Sequence, residues 1–364
     1  MYLDKATFES RLKNLRVLMK EALVDYVLVP PGPNFFYLTG MITESMERLA
    51  LFIIGKDSQE VVCPDLMKQQ VIEETPVDNI KTWSDGEDPY NLASKVLSNK
   101  GKIAIEGSVP YFHYERMEKF LKGRAVSADP LFQEMRITKD RTELSNISEA
   151  ISRSEKALEN SLPELKSGIT EKEFSRILEN NFYEEDLSGP AFPSIVSFGP
   201  NSAMPHHSPD DTKLKSGDTI VIDYGGSYRG YASDSTRTFF WKKEDPEMHT
   251  ILETVREANE TARKEATRNT KYSEMDSLAR KIITDSGYGD KFIHRLGHGL
   301  GIQVHEPPFL VGTDTRTMIK NSVFTIEPGI YIQGKGGVRI EDTNYFDGER
   351  CISFNKMSRS ATVL

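Results

Sequence analysis

The chain has 364 residues, more than the ~250–300 at which one hydrophobic core tends to split, so two domains are expected. Its 38% hydrophobic and 28% charged content is ordinary for a soluble globular protein. A net charge of -9 argues against nucleic acid as the partner, because such binders present basic patches, and no apolar run approaches the ~20 residues of a membrane span.

In chain order, MYLDKATFESRLKNL lacks an apolar signal core and reads as an amphipathic helix of a cytoplasmic protein. Phe8, Leu12, Leu15 and Leu18 recur there at helical spacing. Strand-like runs follow at Asp25–Val29, Leu49–Ile54, Glu60–Cys63, Ile80–Trp83 and Lys102–Glu106. Helical stretches lie between them near Leu66–Glu74, Tyr90–Ser98 and Phe112–Leu121. That alternation predicts an α/β domain with a mixed sheet. Pro30-Pro31-Gly32-Pro33 reads as a loop, and His113 and His249 as solvated residues on helix surfaces. The boundary falls near Ala128–Thr138, giving domains 1–130 and 135–364. A charged helix then starts near Lys139, with Leu144, Ile147 and Ile151 on one face. Further helices are predicted at Glu171–Phe182 and Pro246–Thr267. Cys63 and Cys351 are too few and too far apart for a disulfide scaffold or a thiolate cluster.

The second half carries four carboxylates and an imidazole in apolar or glycine-rich frames. They are Asp223 in VIDYGG, Asp234 in YASDSTRTF, His298 in HRLGHGLG, Glu327 in FTIEPG and Glu341 in GVRIEDTNYF. Burying one such carboxylate alone is costly. A lone acid in a strand is ordinarily a surface residue, and a histidine between glycines can be a plain turn residue. Together the five call for a compensating positive charge, which a pair of divalent metal ions would supply. A tight turn at Ser227-Tyr228-Arg229-Gly230 would set Asp223 directly opposite Asp234. Glu327 and Glu341 repeat the device across Gln333-Gly334-Lys335-Gly336-Gly337. Because Asp342 follows Glu341, one of that pair is free to face solvent. Carboxylates with one imidazole suit Mn2+, Co2+, Fe2+ or Zn2+, so the residues alone point to a dinuclear metallohydrolase.

Competing motifs fail on local grounds. His305-Glu306 resembles the start of an H-E-x-x-H helix, but position 309 is Phe, and Pro307-Pro308 stop a helix. His294 and His298 have helical i, i+4 spacing, yet Gly297, Gly299 and Gly301 disfavour a helix, leaving His294 as a neighbour. No Gly-Lys-Ser/Thr phosphate loop is present.

The five residues and their neighbours resemble the metal-binding set of the M24 metallopeptidases, the pita-bread enzymes. That family includes methionine aminopeptidases, Xaa-Pro aminopeptidases and Xaa-Pro dipeptidases (prolidases). The resemblance covers nearly the whole chain. It implies an N-terminal α/β domain of the creatinase/prolidase type, followed by a pita-bread α+β catalytic domain. It implies two divalent ions per chain, Mn2+ or Co2+ first and Zn2+ or Fe2+ next. Asp234 and Glu341 would bridge them, Asp223 would complete one, and His298 with Glu327 the other. Glu327 matches the family's acid/base. His206 in GPNSAMPHHSP and His305 in GIQVHEPP match histidines that contact substrate and steady the tetrahedral intermediate. His207 could exchange roles with His206. Arg339 matches an arginine beside the metal site, able to orient Glu341 or Asp223 or to pair with a substrate carboxylate.

The activity so implied is hydrolysis of a small peptide with proline after the scissile bond, by hydroxide shared between the ions. An Xaa-Pro dipeptidase is expected, with an Xaa-Pro aminopeptidase acting on longer peptides as the alternative. A creatinase-like C–N hydrolase and a non-catalytic binding protein are more remote, since all five ligands are intact. A leading domain of this size disfavours a methionine aminopeptidase. The peptide bond to proline has no N–H, so its pocket needs apolar walls, for which Tyr224, Tyr331 and Phe309-Leu310 are candidates. A homodimer is the expected assembly.

Overall fold

In the computed structural model, which describes residues 3–97 and 100–364, the Asp4 side chain accepts from the Thr7 amide at 2.8 Å and caps α1 (Lys5–Glu21). Phe8, Leu12, Leu15 and Met19 form its buried face, with Met19 in the place expected for Leu18. The chain divides into two compact units, Met1–Arg136 and Ile137–Leu364. Among the described residues no helix is long and apolar enough to cross a membrane.

In the first unit, β1 (Tyr26–Val29), α2 (Pro33–Thr39), β2 (Leu51–Gly55) and β3 (Gln59–Pro64) come first. Then follow α3 (Lys68–Glu74), β4 (Ile80–Trp83), α4 (Pro89–Val96) and β5 (Ile103–Ile105). The unit ends with α5 (Tyr111–Leu121), β6 (Ala125–Ser127) and the start of α6 (Asp129–Ile137). One sheet of order β4-β3-β2-β1-β5-β6 results. It is mixed: β1–β2 and β2–β3 are antiparallel, and the three remaining pairs are parallel. Three elements were not expected. Pro33 starts α2 because proline at the first helical position sacrifices no hydrogen bond. β6 is a three-residue edge strand, and α6 occupies the region read as a boundary. His113 is buried rather than solvated, 2% exposed, with Nδ1 on the Tyr90 hydroxyl at 2.8 Å. Cys63 and Cys351 are buried free thiols, and burial pushes Cys63 up to about 11, which leaves it inert.

The second unit opens with α7 (Arg141–Ser161), whose Asp140/Glu143 capping box satisfies both ends of its first turn. It packs beside α8 (Glu171–Glu184). A three-stranded sheet, β11-β8-β7, is built from β7 (Ile195–Phe198), β8 (Thr219–Tyr224) and β11 (Ser235–Phe240). Between the last two lies the short ladder of β9 (Ser227–Tyr228) and β10 (Tyr231–Ala232). Helices α9 (Pro246–Glu265) and α10 (Tyr272–Asp285) follow, the second unexpected. A five-stranded sheet then forms from β12 (Gly297–Gly299), β13 (Glu306–Leu310) and β14 (Val323–Ile326), with two later strands. The hairpin of β15 (Gly329–Ile332) and β16 (Gly336–Arg339) interrupts it, before β17 (Asp342–Phe346) and β18 (Cys351–Ser353) complete it.

Lys139, just before α7, pairs with Glu306 of β13 at 2.8 Å, the two side chains being 1% and 5% exposed. Removing one partner leaves an uncompensated buried charge. Lys139→Met is expected to destabilise the protein by about 3–5 kcal/mol, and Lys139→Met with Glu306→Leu to recover most of that loss. Urea denaturation of the two variants checks both halves.

Candidate metal centre

The hairpin that carries Asp223 and Asp234 turns at Arg229-Gly230, with φ of 50° and 81°. Two central residues in the left-handed region give the turn whose twist matches a hairpin. The turn therefore lies one residue later than the sequence reading put it. Asp223 pairs opposite Thr236, not Asp234. A slip of two residues keeps the pleat face, so Asp234 remains on the same side as Asp223, diagonal to it. Asp234 sits where the β9–β10 ladder gives way to the β8–β11 ladder.

The second hairpin follows the same plan. Ile326↔Asp342 on one side and Gly329↔Arg339 on the other carry Glu327 opposite Glu341, in the gap between two ladders. His298 lies at the middle of β12, between β13 and β14. A Cβ at Gly297 would lie 2.1 Å from the Thr325 carbonyl oxygen, and one at Gly299 2.2 Å from that of Pro307. Glycine on both sides is what lets the imidazole enter so narrow a space. His298 Nδ1 contacts the Gly299 carbonyl at 3.1 Å. A carbonyl only accepts, so Nδ1 carries a proton there, and Nε2 is the nitrogen that faces Glu327 (3.2 Å) and Asp234 (3.6 Å).

All five residues meet. Ligand atoms of Asp223, Asp234 and Glu341 lie within 4.8 Å of one another, as do those of His298, Glu327 and Glu341. Asp234 also groups with His298 and His305. Asp234 and Glu341 thus stand between the two clusters. His305 meets His298 edge-on, ring centroids 4.2 Å apart.

Four carboxylates face one guanidinium. Arg339 Nη2 pairs with Asp223 Oδ2 at 2.6 Å, its Nε donates to Thr236 Oγ1 at 2.9 Å, and its Nη1 to the Tyr331 hydroxyl at 3.1 Å. Arg339 thus touches Asp223 directly and reaches Glu341 through Thr236. Burial raises the carboxyls of Asp223, Asp234 and Glu341, and like-charged neighbours add to it, Glu341 for Asp234 and Glu327 for Glu341. Burial also opposes ionisation of Glu327, but the His298 hydrogen bond and charge outweigh it and bring Glu327 down to about 2. Asp223 Oδ1 and Glu341 Oε1 are buried without a hydrogen-bond partner. Unpaired anionic oxygens, a like-charge cluster and an available imidazole fit divalent cations.

The centre lies in a cavity of about 660 Å³, which His206, His294, Arg295 and His305 also line. Burial, then the charge of His298, pulls His305 down to about 4. The apolar walls are Phe192, Pro193, Ile195, Pro205 and Val304, none of them singled out beforehand. The expected wall residues lie elsewhere. Tyr224 is fully buried with its hydroxyl toward Met357 Sδ, and Leu310 belongs to the core. Tyr331 bridges His294 Nε2 (2.9 Å) and Arg339, while Phe309 lies under the Arg295 guanidinium.

Residues 145–346 match metallopeptidase family M24, and residues 11–138 match the creatinase/prolidase N-terminal domain. The chain belongs to metallopeptidase family M24. It is 33% identical over 362 residues to the putative dipeptidase YkvY of Bacillus subtilis (strain 168), covering 98% of this chain and all of that one. To the Xaa-Pro dipeptidase of Pyrococcus furiosus it is 33% identical over 336 residues, 92% of this chain and 94% of that one. The crystal structure of a recombinant prolidase from Thermococcus sibiricus matches it with a TM-score of 0.94 at 32% identity, covering 100% of both chains. The architecture is accordingly a creatinase-like N-terminal domain followed by an M24 pita-bread domain.

Within this M24 domain, Glu171, His207 and Asp210 form a further cluster with ligand-like spacing. It is already satisfied. Glu171 Oε1 accepts from the Phe198 amide (2.7 Å) and Asn201 Nδ2 (3.0 Å), and Oε2 from His207 Nε2 (2.7 Å) and the Asp210 amide (3.0 Å). His207 is thereby committed to Glu171, which anchors the loop that presents His206. Glu171→Ala strips four donors of their acceptor and is expected to cost on the order of 3 kcal/mol. Glu171→Gln, which keeps one acceptor oxygen, should lose less. Urea denaturation measures the difference, and hydrogen exchange at the Phe198 and Asp210 amides should quicken most in Glu171→Ala.

Proposed function

We propose that this chain is an Xaa-Pro dipeptidase, a prolidase, working with two divalent ions, Mn2+ or Co2+ before Zn2+ or Fe2+. The observation that carries the reading is the pair of ligand clusters joined through Asp234 and Glu341, with unpaired carboxylate oxygens, in a cavity with apolar walls. Similarity to the Xaa-Pro dipeptidase of Pyrococcus furiosus over 92% of this chain supports the substrate class. Asp223, Asp234 and Glu341 would hold one ion, and His298, Glu327 and Glu341 the other, with Asp234 shared. When bound, the ions supply a Lewis acid for the peptide carbonyl and a water acidified to near pH 7.

The side chains do the rest. Arg339 opposes the rise that burial imposes on the Asp223 carboxyl and fixes its orientation. Glu327 moves the proton between water and the leaving nitrogen. His206 and His305 both line the cavity and donate to the developing oxyanion. A neutral His305, its pKa drawn down to about 4, keeps an N–H for that purpose without adding charge beside the metals. Phe192, Pro193, Ile195 and Val304 exclude water and hold the apolar parts of the dipeptide. A homodimer in the cytoplasm belongs to the same proposal, and two buried free thiols suit a reducing compartment.

Elemental analysis after reconstitution with Mn2+ or Co2+ should find about two ions per chain, and Asp234→Ala or Glu341→Ala should remove most activity. One ion at saturating metal, or full activity in either variant, defeats the dinuclear assignment. His206→Ala and His305→Ala should retain metal and lose roughly 10²–10³ in kcat. Metal loss in either would move that histidine among the ligands.

Substrate length is tested with Met-Pro and Leu-Pro against Xaa-Pro-Xaa tripeptides and Met-Ala-Ser. Faster cleavage of the tripeptides makes the enzyme an Xaa-Pro aminopeptidase, and cleavage of Met-Ala-Ser alone removes proline specificity.

A further inference from the structure

A second cavity in the M24 domain, about 510 Å³, has the opposite electrostatic character. Arg263 and Lys264 reach it from the last turn of α9, and Arg350 and Arg359 from either side of β18. Among the described residues four cations line it and no acid does, in a chain whose net charge is -9. Their neighbours leave much of this charge uncompensated. Lys264 reaches Glu260 at 3.1 Å on the helix surface. Among the described residues the Arg350 side chain has only a 3.8 Å ion-pair contact, with Asp347, and is 80% exposed.

The other two arginines are more telling. Arg359 is fixed: its Nε pairs with Asp342, which is fully buried, and its Nη2 donates to Ser353 Oγ at 3.1 Å. Arg263 has no hydrogen-bond or ion-pair partner among the described residues, and its Nε is buried without an acceptor. A buried N–H left unpaired is costly, so its surroundings call for an acceptor. Complementing the C-terminal dipole of α9 explains Arg263 and Lys264 alone. It explains neither the arginines on either side of β18 nor the unpaired Arg263 Nε.

Guanidinium forks match the oxygens of a phosphate, a dianion with three acceptors. A single carboxylate would neutralise one cation of the four. The volume is that of a pocket for a small organic molecule, so there is room for more than the phosphate group itself. We propose that this cavity binds a phosphate-bearing small molecule, with Arg263 and Arg359 gripping the phosphate and Arg350 and Lys264 adding charge at the rim. The proposal is independent of the peptidase reading, since none of these residues lines the metal cavity.

Titration calorimetry on the metal-loaded enzyme, with inorganic phosphate and with a nucleoside monophosphate at millimolar concentration, tests it. Saturable binding of one molecule per chain is expected, weakened about tenfold or more by Arg263→Met. Arg350→Ala, which removes an exposed side chain and leaves folding intact, should weaken it several-fold while peptidase activity in phosphate-free buffer stays unchanged. Tighter binding of the monophosphate than of phosphate would identify an ester as the ligand, and equal binding would identify phosphate itself. No saturable binding to the wild type overturns the proposal. So does binding of equal strength in both variants, which would place the phosphate at the metal centre.

Discussion

Like charges brought together out of water repel strongly, and the second domain is organised around that fact. Asp223, Asp234, Glu327 and Glu341 converge on one cavity with Arg339 as the cation paired to them. The fold holds three of them, Asp223, Glu327 and Glu341, by fixing each through one oxygen. Thr236 Oγ1 donates to Glu341 Oε2 at 2.7 Å, and Thr325 Oγ1 to Glu327 Oε1 at 3.2 Å. The same threonines accept from Arg339 Nε and from the His298 amide. Each hairpin thus has a threonine that orients a carboxylate and a charged or imidazole neighbour at once. Such preorganisation is what a metal site requires of the residues behind its ligands.

Glu341 and Asp342 show how neighbouring acids acquire different chemistry. Both are buried, at 1% and 0% exposure, so the expectation that one could face solvent fails. Asp342 is satisfied on both oxygens: Arg237 Nη2 contacts Oδ1 at 2.9 Å, and Arg359 pairs with Oδ2. Arg237 also donates to the Glu341 carbonyl at 2.7 Å, holding the backbone between the two acids. Glu341 keeps one oxygen with no partner. The first acid is free to bind a cation, and the second is a structural ion pair. Alternation along the strand cannot reveal this, because it depends on arginines about a hundred residues upstream and near the chain end.

The five acidic and imidazole positions were legible because a charge in an apolar frame violates the cost of desolvation, and such violations are rare enough to stand out. The mixed sheet was legible from its alternating elements. Register was less so. A glycine at position 230 fits the last place of one turn as well as the third place of another, and only the left-handed φ of Arg229 decides between them. α10 was missed although Tyr272, Met275, Ala279 and Ile283 recur on one face. Its signal is as regular as that of α7 but follows a long helix closely, and the two read as one amphipathic region. His113 was misplaced because its burial depends on Tyr90 and the Met46 carbonyl, both distant in sequence.

The cavity walls were illegible for a reason that is the converse of the ligands' visibility. Phe192, Pro193, Ile195 and Val304 are apolar residues in unremarked surroundings, and nothing in their local sequence separates a wall from a core position. What places them is the loop geometry before β7 and after β12, and that geometry rests on polar contacts. Glu179 Oε1 accepts from the Ser194 amide at 3.1 Å, and Gln303 is tied through its amide to Glu306, the partner of Lys139. The shape of the pocket is therefore held by carboxylates engaged by the protein itself, the half-buried Glu179 and the buried Glu306, just as its floor is formed by those with oxygens to spare. In this domain a buried acid with both oxygens paired shapes the site, and one with an oxygen to spare is available for chemistry. Glu171 and Asp342 belong to the first group, Asp223 and Glu341 to the second, and the count of their partners separates them where residue type and burial do not.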